Sequence, residues 1–411
     1  MITKTITKKI YKTMEKKYYI DQNESCEVFT NGSTIRLYRI VYLKDFGNIK
    51  AKEKGGWVQT EKNLSHYGLC YIGINAKVYG DAKVYGDAKV FGKAEVYGDA
   101  KVYGDAEVFG NAKVLGNAEV SGKARIVNAL IKGKAEVFGN SVVSGTSEVG
   151  GNAKVFGDAG VLGNAKVYGN AKVYGDAEVY GDSGVLDNAE VYGNAKVYDN
   201  AEVYGNAKVY GDSEVSGNAE VYDNAVVCGK AEVYGDAEVY GNAKVSGTSE
   251  VCGDAKVFGK AEVFGNAKVY GDAEVFGNAK VFCDADVYGN AEVGGNAEVS
   301  GKVSGKVSGK SEASGNTEVL LEKIIQRYGI RKQLKKFSEE AYELEEAVIE
   351  AFDSRSAERF DHVAEELADV MVLWEQIRLY YSIPTQTIKG IVTEKVNRQL
   401  KRMEEVKNES K

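Results

Sequence analysis

The chain has 411 residues, with 48 glycines against the single proline Pro384, and a formal net charge of −7. The acidic balance excludes a general nucleic-acid binder, which needs a basic footprint, and no run approaches the roughly 18 apolar residues of a membrane span. The five cysteines (Cys26, Cys70, Cys228, Cys252 and Cys283) are odd in number and lack metal-ligand spacing, which predicts reduced thiols in a cytoplasmic protein.

Residues 1–72 are expected to form a small β-rich capping domain. Their start is basic (Lys4, Lys8, Lys9, Lys12, Lys16, Lys17) but has no apolar core of a signal peptide. The run Ile35-Arg36-Leu37-Tyr38-Arg39-Ile40-Val41-Tyr42 reads as a strand, and Gly55-Gly56-Trp57-Val58 as a loop before the repeats. A solenoid leaves backbone unpaired at each end, which is why a cap is expected here. The block from Arg36 to Ile72 resembles the leader that precedes similar repeats in phage and prophage proteins. His66 and Cys70 lie four apart without further candidate ligands nearby, and are read as structural.

Residues 73–316 are dominated by a six-residue unit typified by Ala76-Lys77-Val78-Tyr79-Gly80-Asp81. Roughly 38 such units in tandem predict a solenoid. Within a unit, Ala and Val alternate with a charged residue and an aromatic, so Ala and Val should point inward. Gly-Asp or Gly-Asn should turn the corner, since both members tolerate positive φ. Stacking predicts the coil size, because residues in equivalent places of successive turns sit directly above one another. At a spacing of 18, Lys77 meets Glu95, Lys89 meets Glu107 and Lys244 meets Glu262. A spacing of 12 would instead pair Lys89 with Lys101. Three units per turn are therefore expected, in about twelve or thirteen turns rising about 60 Å.

The unit resembles the hexapeptide repeat of left-handed β-helix proteins, with an aliphatic residue followed four places later by a small one, as in Val78 to Ala82. The resemblance implies a left-handed parallel β-helix, although Tyr79 stands where that family usually has glycine. Many such proteins are acyltransferases with a histidine base in a loop. Here His66 and His362 both lie outside the repeat, which argues against acyl transfer. Ala124-Arg125-Ile126-Val127-Asn128 is one residue short and should distort a corner. Val303-Ser304-Gly305-Lys306-Val307-Ser308-Gly309-Lys310 has a period of four and is read as a frayed coil or linker.

Residues 317–411 change to helical periodicity, with helices expected near 318–328, 331–352, 356–381 and 384–406. Leu334, Phe337, Ala341, Leu344 and Val348 would form the apolar stripe of the second helix. Glu340 with Glu343, and Glu366 with Asp369, are each spaced i, i+3, so each pair projects from one helix face. Two such helices side by side would surround a hard cation with oxygen ligands.

The pattern Glu339-Glu340-x-x-Glu343 followed by Glu366-x-x-Asp369 resembles the MazG family of all-α nucleoside triphosphate pyrophosphohydrolases. Tyr328-Gly329-Ile330, Gln333 and Lys336 before the acids agree with it, as do Glu394-Lys395-x-Asn397-Arg398 and Arg402 after them. The resemblance implies a four-helix bundle in which Glu340, Glu343, Glu366 and Asp369 bind Mg²⁺, or Mn²⁺ in its place. It assigns Glu339, Lys395 and Arg398 to catalysis, and Gln333, Lys336, Asn397 and Arg402 to substrate. The implied reaction converts a nucleoside triphosphate to its monophosphate and pyrophosphate. The implied assembly is a homodimer or a dimer of dimers through the bundle. The rival expectation is an adhesion or structural solenoid whose helices only oligomerise it.

Overall fold

The structure, a computed structural model, describes residues 16–30, 32–309, 312–313, 324–353, 357–384, 387–388, 390–395 and 398. The chain divides into two compact units, Met1–Ala313 and Ser314–Lys411.

In the first unit, β1 (Tyr18–Thr30) and β2 (Ser33–Tyr42) form an antiparallel hairpin, and β3 (Lys54–Val58) pairs antiparallel with β2. The far edge of β3 pairs in parallel with the first coils, Trp57 opposite Lys77 and Val58 opposite Val78. Tyr18, Ile40, Tyr42 and Val58 are thus continuous with the core of the repeats. Lys17 is fully buried in this region. Its ammonium donates to the carbonyls of Cys70 (2.7 Å) and Gly68 (3.3 Å) and to Cys70 Sγ (3.1 Å). Burial pulls the Lys17 pKa down and pushes the Cys70 thiol up. His66 instead stacks on Tyr18 at 4.3 Å and meets Glu61 at 3.1 Å, so His66 and Cys70 serve different contacts.

From Tyr71 to Ala313 the chain winds through about 14 turns of a parallel β-solenoid, each turn contributing one short strand to each of three sheets. The register is the one that the charges predict: Lys77 lies opposite Glu95, and Lys89 opposite Glu107. Inward Ala and Val residues from Ala76 to Val299 are at most 1% exposed. Serines that replace Ala inside the coil, such as Ser183, return their hydroxyl to a corner carbonyl (Tyr180 O, 2.8 Å), so no buried donor is left unmade.

The corners correct one expectation. Only the first corner residue takes positive φ (Gly80 at 69°, Gly98 at 75°), while the Asp or Asn after it does not. With Ala94 N–H bonded back to Phe91 O, this is the pattern of a type II′ turn. A Cβ on Gly98 would also lie 3.0 Å from the backbone nitrogen of Gly116 in the next turn. Asp187, Asp199 and Asp223 nevertheless fill this place with φ of 59°.

Outside the coil the aromatic rings stack in ladders. Phe138, Phe156, Tyr174, Tyr192 and Tyr210 follow one another with centroids 4.8–4.9 Å apart. The corners carry a second ladder, in which each asparagine Nδ2 donates to the Oδ1 one turn on. It runs Asn152, Asn170, Asn188, Asn206, Asn224, Asn242, at 2.9–3.3 Å. Where glutamates stack on each other, as Glu202, Glu220 and Glu238 do, tyrosine hydroxyls supply the donors: Tyr204 to Glu220 (2.6 Å) and Tyr222 to Glu238 (2.8 Å).

Both irregular segments are accommodated within the coil, and the second of them extends it. Asn128 turns its corner in a single residue at φ 60°. Its side-chain Oδ1 accepts from Asn111 N–H at 2.8 Å, where a glycine carbonyl does this elsewhere in the coil. The tetrapeptides are not a linker. Lys302–Val303 and Lys306–Val307 pair with Asp286–Val287 and Glu292–Val293, closing a last turn with shortened sides. Together with the start at Tyr71, they bring the coil to about 14 turns and, at a strand spacing of about 4.8 Å, to a rise of about 65 Å.

The second unit is helical. Its long helices are α1 (Ile330–Asp353) and α2 (Ala357–Tyr380), with further helical residues at 324–328 and between 387 and 398. Gly329, at φ 78°, separates the first stretch from α1. Among the described residues no helix is long and apolar enough to cross a membrane.

Candidate metal centre

Helix α1 is rich in Lys, Glu, Leu and Ala and free of Gly and Pro, which suits an uninterrupted helix. Its inward stripe is not the expected one. Leu334 and Val348 are 38% and 48% exposed, whereas Gln333, Glu340 and Ala347 are buried and Phe337 and Leu344 half-buried. The helix is rotated by about one residue from the purely apolar solution, which carries a carboxylate inward. On α2 the corresponding stripe includes Val363, Glu366, Val370, Leu373 and Gln376. One cavity is lined by Gln333, Lys336 and Glu340 from α1 and by Asp369, Leu373 and Gln376 from α2. Ile330 and Arg331 at the start of α1 share a cavity with Leu379 and Tyr380 at the end of α2, and Glu340 farther along meets Glu366 and Asp369, so the two run antiparallel.

This packing brings Glu340, Glu366 and Asp369 together, with one carboxylate oxygen of each within 4.8 Å of the others. Glu340 is 4% exposed and hydrogen-bonded by Lys336. That bond holds the Glu340 carboxyl below its ordinary range and raises the Lys336 ammonium. Glu366 is half-buried and lies 3.6 Å from His362 through one oxygen. Its other oxygen, Oε2, is sealed from solvent and has no hydrogen-bond partner among the described residues. A buried carboxylate oxygen without a donor is unfavourable unless a cation meets it. The donor set is all oxygen and anionic, which fits Mg²⁺ or Mn²⁺.

The remaining expected site residues fall in different places. Glu343 is exposed and outside the trio of oxygens. A hydrogen bond shared with Glu340 and the charge of Glu340 raise its pKa. Glu339 is exposed and 3.9 Å from Lys335. Gln333 and Lys336 line the cavity of about 350 Å³ that adjoins the carboxylates. Lys395 and Arg398 are exposed and do not line it, and Asn397 and Arg402 lie outside the described residues. The residue that sequence reasoning passed over is Gln376, buried at 2% exposure in the cavity wall. Its signal was its spacing, seven residues beyond Asp369 and hence on the same helix face.

No family model matches this chain, and no curated protein matches it.

Proposed function

We propose that the helical unit is a Mg²⁺-dependent nucleoside triphosphate pyrophosphohydrolase, carried on a β-solenoid of the left-handed type. The observation that supports this most is the trio Glu340, Glu366 and Asp369 at the edge of a cavity, with Glu366 Oε2 buried and unpartnered. Carboxylates turned inward in place of available leucine and valine are hard to account for by stability alone.

In this reading Glu340, Glu366 and Asp369 hold the cation, and Glu343 joins them when the proton-favouring repulsion from Glu340 is neutralised. The cation, when bound, polarises the phosphates and lowers the pKa of water that attacks the α-phosphorus. Lys336 turns its charge from Glu340 towards the phosphate oxygens, and Lys395 and Arg398 approach them from the last helix. Glu339 accepts the proton from the attacking water.

The exposed Leu334, Tyr342, Val348, Ile349, Leu367 and Met371 on the two long helices support pairing of two such units, since exposed large apolar side chains gain from cover. Light scattering on the full chain tests this: a dimer or tetramer is expected, and a monomer or trimer contradicts it. The reaction is tested by incubating the purified chain with Mg²⁺ and a panel of NTPs and dNTPs. Equal release of monophosphate and pyrophosphate is expected. No release from any nucleotide would leave the solenoid as the working part, with its aromatic ladders as a binding surface.

A further inference from the structure

A cavity of about 400 Å³ lies in the first unit, where the cap meets the coil, within the roughly 300–1,000 Å³ of small-ligand sites. Its two aromatic walls come from different segments. Phe46 stands in the turn between β2 and β3, where Phe46 N–H bonds to Ile49 O (3.1 Å) and Ile49 N–H to Phe46 O (2.9 Å). Ile49 is buried and Asp45 Oδ1 accepts from Ala51 N–H (2.8 Å), so the turn is fixed before any ligand arrives. Phe46 meets Tyr42 edge-on at 5.2 Å, and the buried Lys17 ammonium lies 5.0 Å from its ring centre. Tyr71 opens an aromatic ladder. It lies 6.3 Å from Phe91 at a tilt of 25°, whereas Phe91 and Phe109 stack at 4.8 Å and 3°. Rings inside a ladder give both faces to their neighbours. The face of Tyr71 turned from Phe91 has no ring against it among the described residues.

The floor is polar and of mixed sign. Lys89 and Glu107 pair across one turn at 2.9 Å. Asp87, Asp105 and Lys123 follow one another along one corner of the coil. Farther along that corner Asn140 donates to Asp158 (2.7 Å), but no amide joins Asp87 to Asp105. Asp87 Oδ1 accepts from Leu69 N–H (2.8 Å), and Asp105 is exposed. A cation entering here would meet Lys89 and Lys123, and the charge of Lys17 already on Phe46. An anion would meet three carboxylates. A hydroxyl is served by both signs, since it donates to a carboxylate and accepts from an ammonium. A ligand with one apolar face and a rim of hydroxyls suits a free aromatic face above such a floor. We infer that this cavity binds a neutral sugar, a hexopyranose that is either free or the end of a glycan. Its ring lies on Tyr71, and its hydroxyls meet Asp87, Asp105 and the Lys89–Glu107 pair. The site is confined to the first unit and does not rest on the reaction proposed for the helices.

The test is calorimetric titration of the full chain with the methyl glycosides of glucose, galactose, mannose and N-acetylglucosamine. At least one should bind with a dissociation constant of about 1 mM or tighter. Trisaccharides ending in the same sugars distinguish the two sources: binding tighter than the glycoside marks a glycan end, and weaker binding a free sugar. Tyr71→Leu and Asp105→Ala should each weaken the best sugar at least about tenfold. Asp99→Ala, at an equivalent corner outside the cavity, should leave it unchanged. A folded wild type that binds none of these sugars overturns the inference. So does an affinity that both cavity variants keep, or binding of spermidine or inorganic phosphate at Asp105 in place of the sugars. Asp105 is exposed at a corner, so its variant keeps the test in force should Tyr71→Leu misfold.

Discussion

Lys336 bonds to Glu340 across one turn of α1, so the most buried acid of the trio is held by a flexible cation that belongs to the same cavity. The lysine keeps Glu340 ionised without metal and is free to move when a stronger cation arrives. Conversion of a trio member to its amide, Glu340→Gln, Glu366→Gln or Asp369→Asn, removes a ligand charge and little volume. Each should reduce pyrophosphate release by at least about a hundredfold, on the order of 3 kcal/mol of transition-state stabilisation. Thermal stability without Mg²⁺ should hold or rise in Glu366→Gln and Asp369→Asn, because like charges are removed, and fall in Glu340→Gln, which loses the ion pair with Lys336. Full turnover in any of the three would remove that residue from the site.

Mg²⁺ should stabilise the helical unit by linkage. At a hundredfold excess over its dissociation constant, a ligand that binds only the folded state contributes about 2.7 kcal/mol. Differential scanning calorimetry should show a rise in the helical transition with Mg²⁺, smaller in Asp369→Asn. A transition indifferent to millimolar Mg²⁺ would argue that the acids are a solvated patch.

The asparagine ladder has a direction, and one substitution at two positions reads it. Asn188 accepts from Asn170 and donates to Asn206. Asn188→Asp keeps the acceptor but sets two oxygens against each other, and should lower stability by about 1 kcal/mol. Asn242 is the last member and receives from Asn224, so Asn242→Asp should be near neutral. Equal effects in chemical denaturation would show that the ladder contributes no directional bonding. Natural ends obey the same rule, since Asn164 donates to Asp182 and Asn218 to Asp236, which only accept.

Acid should loosen the solenoid in a defined window. Lys101 at Glu119, Tyr168 and Lys132 at Glu148, and Lys256 at Glu238 hold these carboxyls below the ordinary glutamate value of 4.5. A folded pKa below the unfolded one stabilises above the unfolded value, and the effect is lost as pH falls through the folded value. The melting temperature should therefore be level from about pH 7 to 5 and fall below about pH 4.5. An unchanged melting temperature at pH 3 would show that the external pairs contribute nothing.

Periodicity made the coil legible in the sequence because every turn repeats the same local solution. Alternating Lys77, Glu95 and Lys113 report their own stacking distance, and Ala with Val can only face inward. The departures were not legible, because they depend on individual side chains. That Asn128 substitutes its amide oxygen for a backbone carbonyl follows from geometry that no pattern encodes. The tetrapeptides lost the period of six but kept the inward valine that a turn requires. In the helical unit the acids stood out by spacing. The inward rotation of α1 did not, since hydrophobic periodicity favours Leu334 and Val348 over Gln333 and Glu340.

The shortened last turn has a consequence for self-association. Stacked strands can grow into a fibre when one end of a solenoid fits the other, as each open end offers unpaired amides and carbonyls. Across Lys306 and Glu292 the separation is 14 residues, against 18 at Lys77 and Glu95. At the other end β3 already occupies one edge of the first turn, and a perimeter so reduced does not match the three full sides of a first turn. Lys302 and Lys306 on that rim are already paired with Asp286 and Glu292 of the turn before. The narrowing thus works as a terminator, letting a highly repetitive chain be long without being endless.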